Sequence, residues 1–597
     1  MTIDDTAAGQ NIERLTDNIH KIEELTARLV TALSHRRNVN PAIEAPSGEL
    51  FVKAATAYWS DMLSDPTKII ESQLEMWGKS LQFYVDAQKM IAEGKFELPE
   101  MDLPKDRRFS NPMWETNPYF ALIRRQYVMN SDAIRDAVEQ IETLEDKEKR
   151  RLRYFTDQII NMMAPTNFFG TNPDALEKAV ETEGESLVHG LENLISDLEA
   201  NNGDLLVKLA DESAFSIGDN IATSPGKVVF RNRLFELIQY TPATEKVYET
   251  PLLIFPPWIN KFYILDLKAQ NSLIKWTVEQ GYTVFVVSWV NPDASFAEVG
   301  MEDYIESGFL TAIDQVKSIT GQPKINAVGY CIAGTTLHLT LALMKKRKDN
   351  SVKSATFFTA LTDFSDQGEF TPFLQDDFID GIEEEAFSSG VLYSRIMSRT
   401  FSFLRSNDLV YGPAIRSYMM GEAPPAFDLL YWNGDGANLP AKMVVEYLRK
   451  LCQRNEFADG GVEFCGERLT LQDVDIPLMA VTCETDHIAA WKDCYRGFQQ
   501  TGSKNKSFIV SESGHIAGIV NPPSKNKYGH YTNDDLSLDA DDWINSADFH
   551  KGSWWPRWES WLKKRSGKKI DARDFGDSEH PVLCDAPGTY VKVKAPQ

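Results

Sequence analysis

The 597-residue sequence predicts an α/β fold, a parallel sheet wound with helices on both faces, preceded by a mostly helical domain. Three observations predict it. Short continuous apolar runs at Leu252–Phe255, Thr283–Val290, Ile325–Tyr330, Ala355–Leu361, Ile476–Cys483 and Ser507–Val510 read as strands buried on both faces. Helical stretches at Ser272–Gln280, Tyr304–Thr320 and Ile332–Arg347 separate several of those runs. Before residue 211, by contrast, the pattern stays helical. The expected domains are therefore 1–211, mostly helical, and 212–597, built on the sheet. Within the second, about 363–475 is too long for a connection and holds clusters of Phe, Trp and Tyr, so it reads as an inserted cap.

Taken in order, residues 11–34 space Ile12, Leu15, Ile19, Ile22, Leu29 and Leu33 for an amphipathic helix. Packing onto its own domain is the simpler reading, and a partner-binding coiled coil the other. Asn38–Gly48 reads as a linker. Asp65-Pro66 starts a helix with an apolar face running from Ile69 to Val85. Further helices are expected at Pro118–Met129, Ser131–Asn161 and Asn172–Glu199, with the charged string Glu142–Arg153 as a solvated face. Trp114, Asn117, Pro118 and Phe120 suit a helix entry beside core aromatics better than a docking edge.

Composition sets limits on function. Apolar residues make up 43% and charged residues 25%, as in an ordinary soluble protein with an ample core. A net charge of −25 argues against nucleic acid or an anionic membrane surface as the main partner. Cysteines at 331, 452, 465, 483, 494 and 584 show no paired metal spacing and no CxxC. Free thiols in a reducing cytosol are expected, with no metal site. The acidic start, Met1–Gln10, has no apolar segment of a secretory signal, and no run is long enough to span a membrane. A cytoplasmic location is the expectation.

The chemistry centres on Asn326-Ala-Val-Gly-Tyr-Cys-Ile-Ala-Gly-Thr335, which places Cys331 between an apolar strand and an apolar helix. This is the layout of a nucleophile elbow, which specifies the fold further as an α/β-hydrolase fold. A helix N-terminus favours a thiolate, and Gly329 and Gly334 leave room for the turn. Read alone, the elbow is the favoured reading of Cys331, and a small apolar residue at a strand–helix junction the other. Order along the chain decides between these. The strand ending at Cys483 leads into Glu484-Thr-Asp-His487, and the next leads into Ser513-Gly-His-Ile-Ala-Gly518. Asp486 and His515 thus fall where an acid and then a histidine belong. Asp363, after the strand that follows the nucleophile helix, is a competing acid. His487 is a competing base and otherwise a hydrogen-bonding neighbour of the site, as is Asn260. An oxyanion would take the Ile332 amide and one from Pro256-Pro-Trp-Ile-Asn-Lys-Phe262. Two prolines there cannot donate, so Ile259 is the choice and Trp258 the second.

With these pieces together, the chain resembles the class I polyhydroxyalkanoate synthases. The matching segments are Pro256–Asp266, Val287–Asp293, the elbow, Thr400–Arg405, Phe427–Asn433, Asp486–Ile488, Gly514–Pro523 and Gly552–Trp558. The family elbow commonly reads Gly-x-Cys-x-Gly-Gly, and Ala333 here stands in place of the first glycine of that pair. The resemblance implies an acyltransferase that polymerises (R)-3-hydroxyacyl-CoA, with 3-hydroxybutyryl-CoA favoured, into polyester through an acyl-cysteine. It implies Cys331 as nucleophile, His515 as base and Asp486 as third member. No cofactor is implied, since coenzyme A belongs to the substrate. It also implies a homodimer at the surface of polyester granules, contacts with phasin-type granule proteins, and granule contacts through the helical domain. A cysteine thioesterase of the same fold and a non-enzymatic granule-coat protein are the alternatives.

Overall fold

The computed structural model describes residues 103–595 apart from 142, 143 and 202, with scattered positions between Lys21 and Ala32. Most of the expected helix over 11–34, the linker and the helix after Asp65 lie outside the described residues. Contacts divide the chain into two compact units: 1–209 with 402–424, and 210–401 with 425–597.

In the helical unit, Asn117 caps a helix Pro118–Glu139 through a bond from the Tyr119 amide, with proline at the first position. The break expected near Asn130 is absent. The Ser131 hydroxyl donates to the Tyr127 carbonyl at 2.7 Å, one turn back, so the residue is accommodated mid-helix. The next helix, Asp146–Met162, opens on a capping box of Glu145 and Glu148. It buries Arg151 beside Leu152, so the charged string is only partly a solvated face. The expected helix 172–199 is two, Pro173–Glu181 and Glu185–Ala200, parted where Glu183 and Gly184 take left-handed φ of 53° and 87°. Trp114 and Phe120 are buried in an aromatic cluster, with Phe109 and Trp114 ring centroids 4.8 Å apart. They are core, not a docking edge.

Residues 402–424, which the sequence places in the cap, pack within this unit. The segment lies along the helix Glu185–Ala200. Asn193 donates to the carbonyls of Ser417 at 3.1 Å and Glu422 at 3.2 Å, and Tyr418 donates to Asp197 at 2.7 Å. Gly190 is required there, because a Cβ at this position would lie 2.0 Å from the Tyr418 carbonyl oxygen.

The second unit is built on one sheet of eleven strands among the described residues. In chain order these are β1 Gly226–Arg231, β2 Phe235–Tyr240, β3 Leu252–Phe255, β4 Val284–Trp289, β5 Ile325–Tyr330, β6 Val352–Phe358, β7 Leu478–Cys483, β8 Lys506–Ser511, β9 His530–Thr532, β10 Asp548–His550 and β11 Cys584–Asp585. Across the sheet they run β10-β9-β8-β7-β6-β5-β3-β4-β2-β1-β11. The six adjacent strands β4, β3, β5, β6, β7 and β8 are mutually parallel and the outer ones antiparallel. β4, β5 and β7 are buried at every residue, as two-sided coverage requires. The strand expected at 355–361 starts earlier, at Val352, and ends at Phe358, because Thr359 takes φ 41°, which breaks the extended backbone. This is the α/β-hydrolase fold that the sequence predicts.

Gly190→Ala should destabilise the helical unit by about 1–3 kcal/mol, the usual cost of overpacking. The expected readout is faster proteolysis within 402–424, with the sheet unit's own cleavage rate unchanged.

Candidate active site

The sheet brings three loops to its carboxyl edge, after β5, β7 and β8. At the first, Cys331 takes φ 55° and ψ −127° as the cap residue of the helix Ile332–Lys346. Such a backbone costs about 1–3 kcal/mol in a non-glycine residue and persists only where its surroundings enforce it. Here they do. The Cys331 amide donates to the Phe358 carbonyl at 2.9 Å, and its carbonyl accepts from Gly334 at 2.8 Å and Thr335 at 3.2 Å. A Cβ on Gly329 would lie 2.7 Å from the Gly334 Cα, and one on Gly334 would lie 2.5 Å from the Ala360 Cβ. Ala333, the departure from the family elbow, is fully buried there.

The loop after β7 folds around the Asp486 carboxylate. One oxygen accepts the amides of Ile488 at 2.8 Å and Ala489 at 2.9 Å, and the other meets His515 Nδ1 at 2.7 Å. Burial works against a charged His515, but the Asp486 carboxylate and Cys331 outweigh it and raise the imidazole to about 10. Cys452, Cys483 and Cys494 are buried and their thiols pushed up by that burial, which leaves them protonated. Cys331 is half-exposed at the corner.

The loop after β8 is held by groups that no motif reasoning had assigned. Trp554 Nε1 donates to the Gly518 carbonyl at 2.8 Å, and Trp555 Nε1 donates to that of Ile519 at 2.9 Å. From below, the Tyr330 hydroxyl donates to the His515 carbonyl at 3.1 Å. Gly518 has no room for a side chain, since a Cβ would lie 2.5 Å from Cys483 Sγ. Gly514 is less constrained, with its nearest neighbour at 3.5 Å. The Gly552–Trp558 segment is thus a scaffold for the histidine loop.

Of the competitors, Asp363 is engaged elsewhere. It accepts from the Ser365 amide at 2.9 Å and Asn455 at 3.1 Å, both in the insertion, and from Gln500 at 2.6 Å at the end of the helix Trp491–Gln500. His487 is half-buried beside Asp486, but the bond to that carboxylate goes to His515. Asn260 enters through its backbone, which bridges to Gly436. Among the described residues, neither the Ile259 nor the Ile332 amide donates to a backbone carbonyl. The Trp258 amide is likewise unbonded, but Trp258 is 1% exposed, whereas Ile259 is half-exposed. From the insertion, Tyr447 interacts with Cys331 and Thr335, and burial raises its phenol well above its ordinary value. Nothing in the local pattern marked it.

The comparisons bear on this geometry. A model described as the N-terminus of poly-beta-hydroxybutyrate polymerase matches residues 105–277, and one for the alpha/beta hydrolase fold matches 252–522. A poly(3-hydroxyalkanoate) polymerase subunit of Rhizobium meliloti is 38% identical over 90% of this chain and 87% of its own length. The chain belongs to the poly(3-hydroxyalkanoate) polymerase family. It is 39% identical to the polymerase of Methylorubrum extorquens over 89% of this chain and 88% of that protein. To the polymerase subunit of Cupriavidus necator it is 39% identical over 85% and 86%. Among solved structures, a monoglyceride lipase of Saccharomyces cerevisiae is similar at 12% identity, over 59% of this chain and 99% of that one, with TM-score 0.36.

The enzyme is therefore an acyltransferase that polymerises hydroxyalkanoates. Among the described residues, no helix is long and apolar enough to cross a membrane, and no cluster of His, Cys, Asp and Glu could hold a metal ion.

His515 is raised in the folded state, so its charged form stabilises the fold fully below about pH 6.5, and this contribution is lost as the pH rises through about 10. Asp486→Asn should bring the His515 titration down from about 10, as followed by the ¹³Cε1 resonance of labelled histidine. The difference in thermal midpoint between wild type and variant should narrow as the pH approaches 10.

Proposed function

We propose that this polymerase carries the growing chain as a thioester on Cys331 and takes (R)-3-hydroxybutyryl-CoA as its substrate. The observation that carries the reading is the Asp486–His515 contact of 2.7 Å, on loops beside a strained Cys331 at a helix N-terminus. An imidazole raised to about 10 by that carboxylate and by Cys331 is basic enough to take the proton of the Cys331 thiol.

The steps then follow from the residues. The Cys331 thiolate attacks the thioester carbonyl, and the Ile332 and Ile259 amides receive the oxyanion. The substrate is itself a thioester, so this exchange is nearly isoenergetic. His515 gives its proton to the departing coenzyme A sulfur. It then takes the proton from the 3-hydroxyl of an incoming 3-hydroxyacyl-CoA, whose oxygen attacks the acyl-cysteine and expels the Cys331 thiolate. The chain, one unit longer and now a CoA thioester, returns to Cys331 by the same exchange with release of coenzyme A. Asp486 has one oxygen on two amides and the other on His515. That supports a role in orienting the imidazole rather than as the base itself.

Exclusion of water separates polymerisation from hydrolysis, and we assign it to the inserted segment. Phe370 packs edge-on against Phe401 at 5.5 Å, and Phe373 against Phe378 at 5.3 Å. In the same segment Trp432 and Tyr431 are buried, and Phe403 falls in the stretch that packs with the helical unit. The family resemblance also supports a homodimer acting in the cytoplasm at the polyester surface, with phasin-type proteins as neighbours. Sedimentation of the purified protein and imaging of a fluorescent fusion read these directly.

Purified enzyme given 3-hydroxybutyryl-CoA should release free thiol and form insoluble polyester. Soluble 3-hydroxybutyrate in its place would make it a thioesterase. Cys331→Ala should lower thiol release by at least about 10³-fold, as expected when a covalent nucleophile is removed. Retained turnover would sink the acyl-cysteine.

A further inference from the structure

The loop that follows β3 has an unusual support. Lys261 and Asp435 form an ion pair of 2.8 Å in which both side chains are only 6% exposed. The second Asp435 oxygen accepts the Tyr263 hydroxyl at 2.8 Å, and the Lys261 ammonium also donates to the Val593 carbonyl at 2.9 Å. The backbone is tied to the same neighbours. Trp432 Nε1 donates to the Lys261 carbonyl at 2.7 Å, the Ala437 amide donates to the Ile259 carbonyl at 2.8 Å, and Asn260 bridges to Gly436. The result is a stretch, 259–263, held along one side by 432–437, with the Ile259 amide left without a backbone partner.

We propose that the Lys261–Asp435 pair positions the Ile259 amide as an oxyanion donor, so that both are positioning residues for the polymerase reaction. This rests on the reading of Ile259 as that donor. Two arguments support the step from a buried pair to a catalytic role. Burying two opposite charges is a poor route to stability, because their desolvation cancels most of the attraction, and an apolar pair of similar size often serves as well. What such a pair does supply is a fixed geometry. The loop itself supplies little, since Pro256-Pro257 cannot donate and 258–260 lie outside any helix or extended strand. An oxyanion donor must be held to a few tenths of an ångström of where charge develops, which a loop achieves only through such bracing. Asp435 and the tethering amide of Ala437 both come from the inserted segment, so the insertion bears directly on the chemistry.

The test is the double variant Lys261→Met/Asp435→Asn, which leaves no unpaired charge and keeps an acceptor for Tyr263. Two readouts are compared: thiol release from 3-hydroxybutyryl-CoA, and alkylation of Cys331 by iodoacetamide, which needs the thiolate and the fold but no oxyanion donor. We expect kcat to fall about 10- to 100-fold, less than or comparable to deletion of a donor, with KM and the alkylation rate within about twofold of wild type. An unchanged kcat, or alkylation falling in step with kcat, overturns the proposal, the latter marking a merely structural pair. Ile259→Pro, which deletes the amide hydrogen, separates the two readings. If it alkylates normally and turns over like wild type, the donor assignment itself fails. If it loses turnover while the double variant does not, only the positioning role fails.

Discussion

At the centre of the sheet, strand β5 and the helix Ile332–Lys346 approach so closely at Gly329 and Gly334 that a single added methyl would meet backbone at 2.7 Å. That contact forces the chain to reverse within one residue, and Cys331 takes the left-handed corner that results. The sulfur is thereby placed at the end of a helix, in front of unpaired amides, without being enclosed in the core. Asp486 and His515 come to the same edge of the sheet because β7 and β8 continue the same parallel register. The six parallel strands set the spacing of the three loops, and the loops carry the candidate residues.

Around that corner, the site is stiffened by groups that are not themselves reactive. The indole donors of Trp554 and Trp555 fix the histidine loop, and the Tyr330 hydroxyl ties its backbone to the nucleophile strand. The amides of Ile488 and Ala489 hold the Asp486 carboxylate with its remaining oxygen toward the imidazole. Each is a buried polar group with a defined partner, and such groups are costly to leave unmade. The inserted segment plays two parts in this arrangement. Its aromatic face at Phe370, Phe373, Phe378 and Phe401 is apolar and clustered, whereas its 432–437 stretch is pinned to the loop after β3. The remainder, 402–424, belongs with the helical unit, where Asp197 and Gly190 receive it.

Much of this was legible in the sequence, for a physical reason. A parallel strand buried on both faces must be apolar throughout, so β3, β4, β5 and β7 announce themselves as short runs. A nucleophile elbow needs small residues at fixed offsets, and a triad needs its members in chain order, so Cys331, Asp486 and His515 stood out as local patterns. The outer strands did not. β2, Phe-Glu-Leu-Ile-Gln-Tyr, buries Glu236 completely because Arg231 and the amides of Thr589 and Tyr590 satisfy its carboxylate. No local pattern distinguishes such a glutamate from a solvated one. Ser131 and the Glu183-Gly184 junction misplaced helix ends for the same kind of reason, since one hydroxyl bond or one positive φ decides them.

By itself the sequence determined the fold class and singled out Cys331, Asp486 and His515 as the candidate site, because burial and sharp turns restrict residue type directly. Tertiary structure alone decided which partner each polar group takes. It settled that Asp486 rather than Asp363 faces the histidine, that Trp554 and Trp555 brace the histidine loop, and that Lys261 and Asp435 meet in the interior. Those pairings join residues far apart in the chain. Their energies depend on distance and on the exclusion of water, and neither is written in any local stretch of residues.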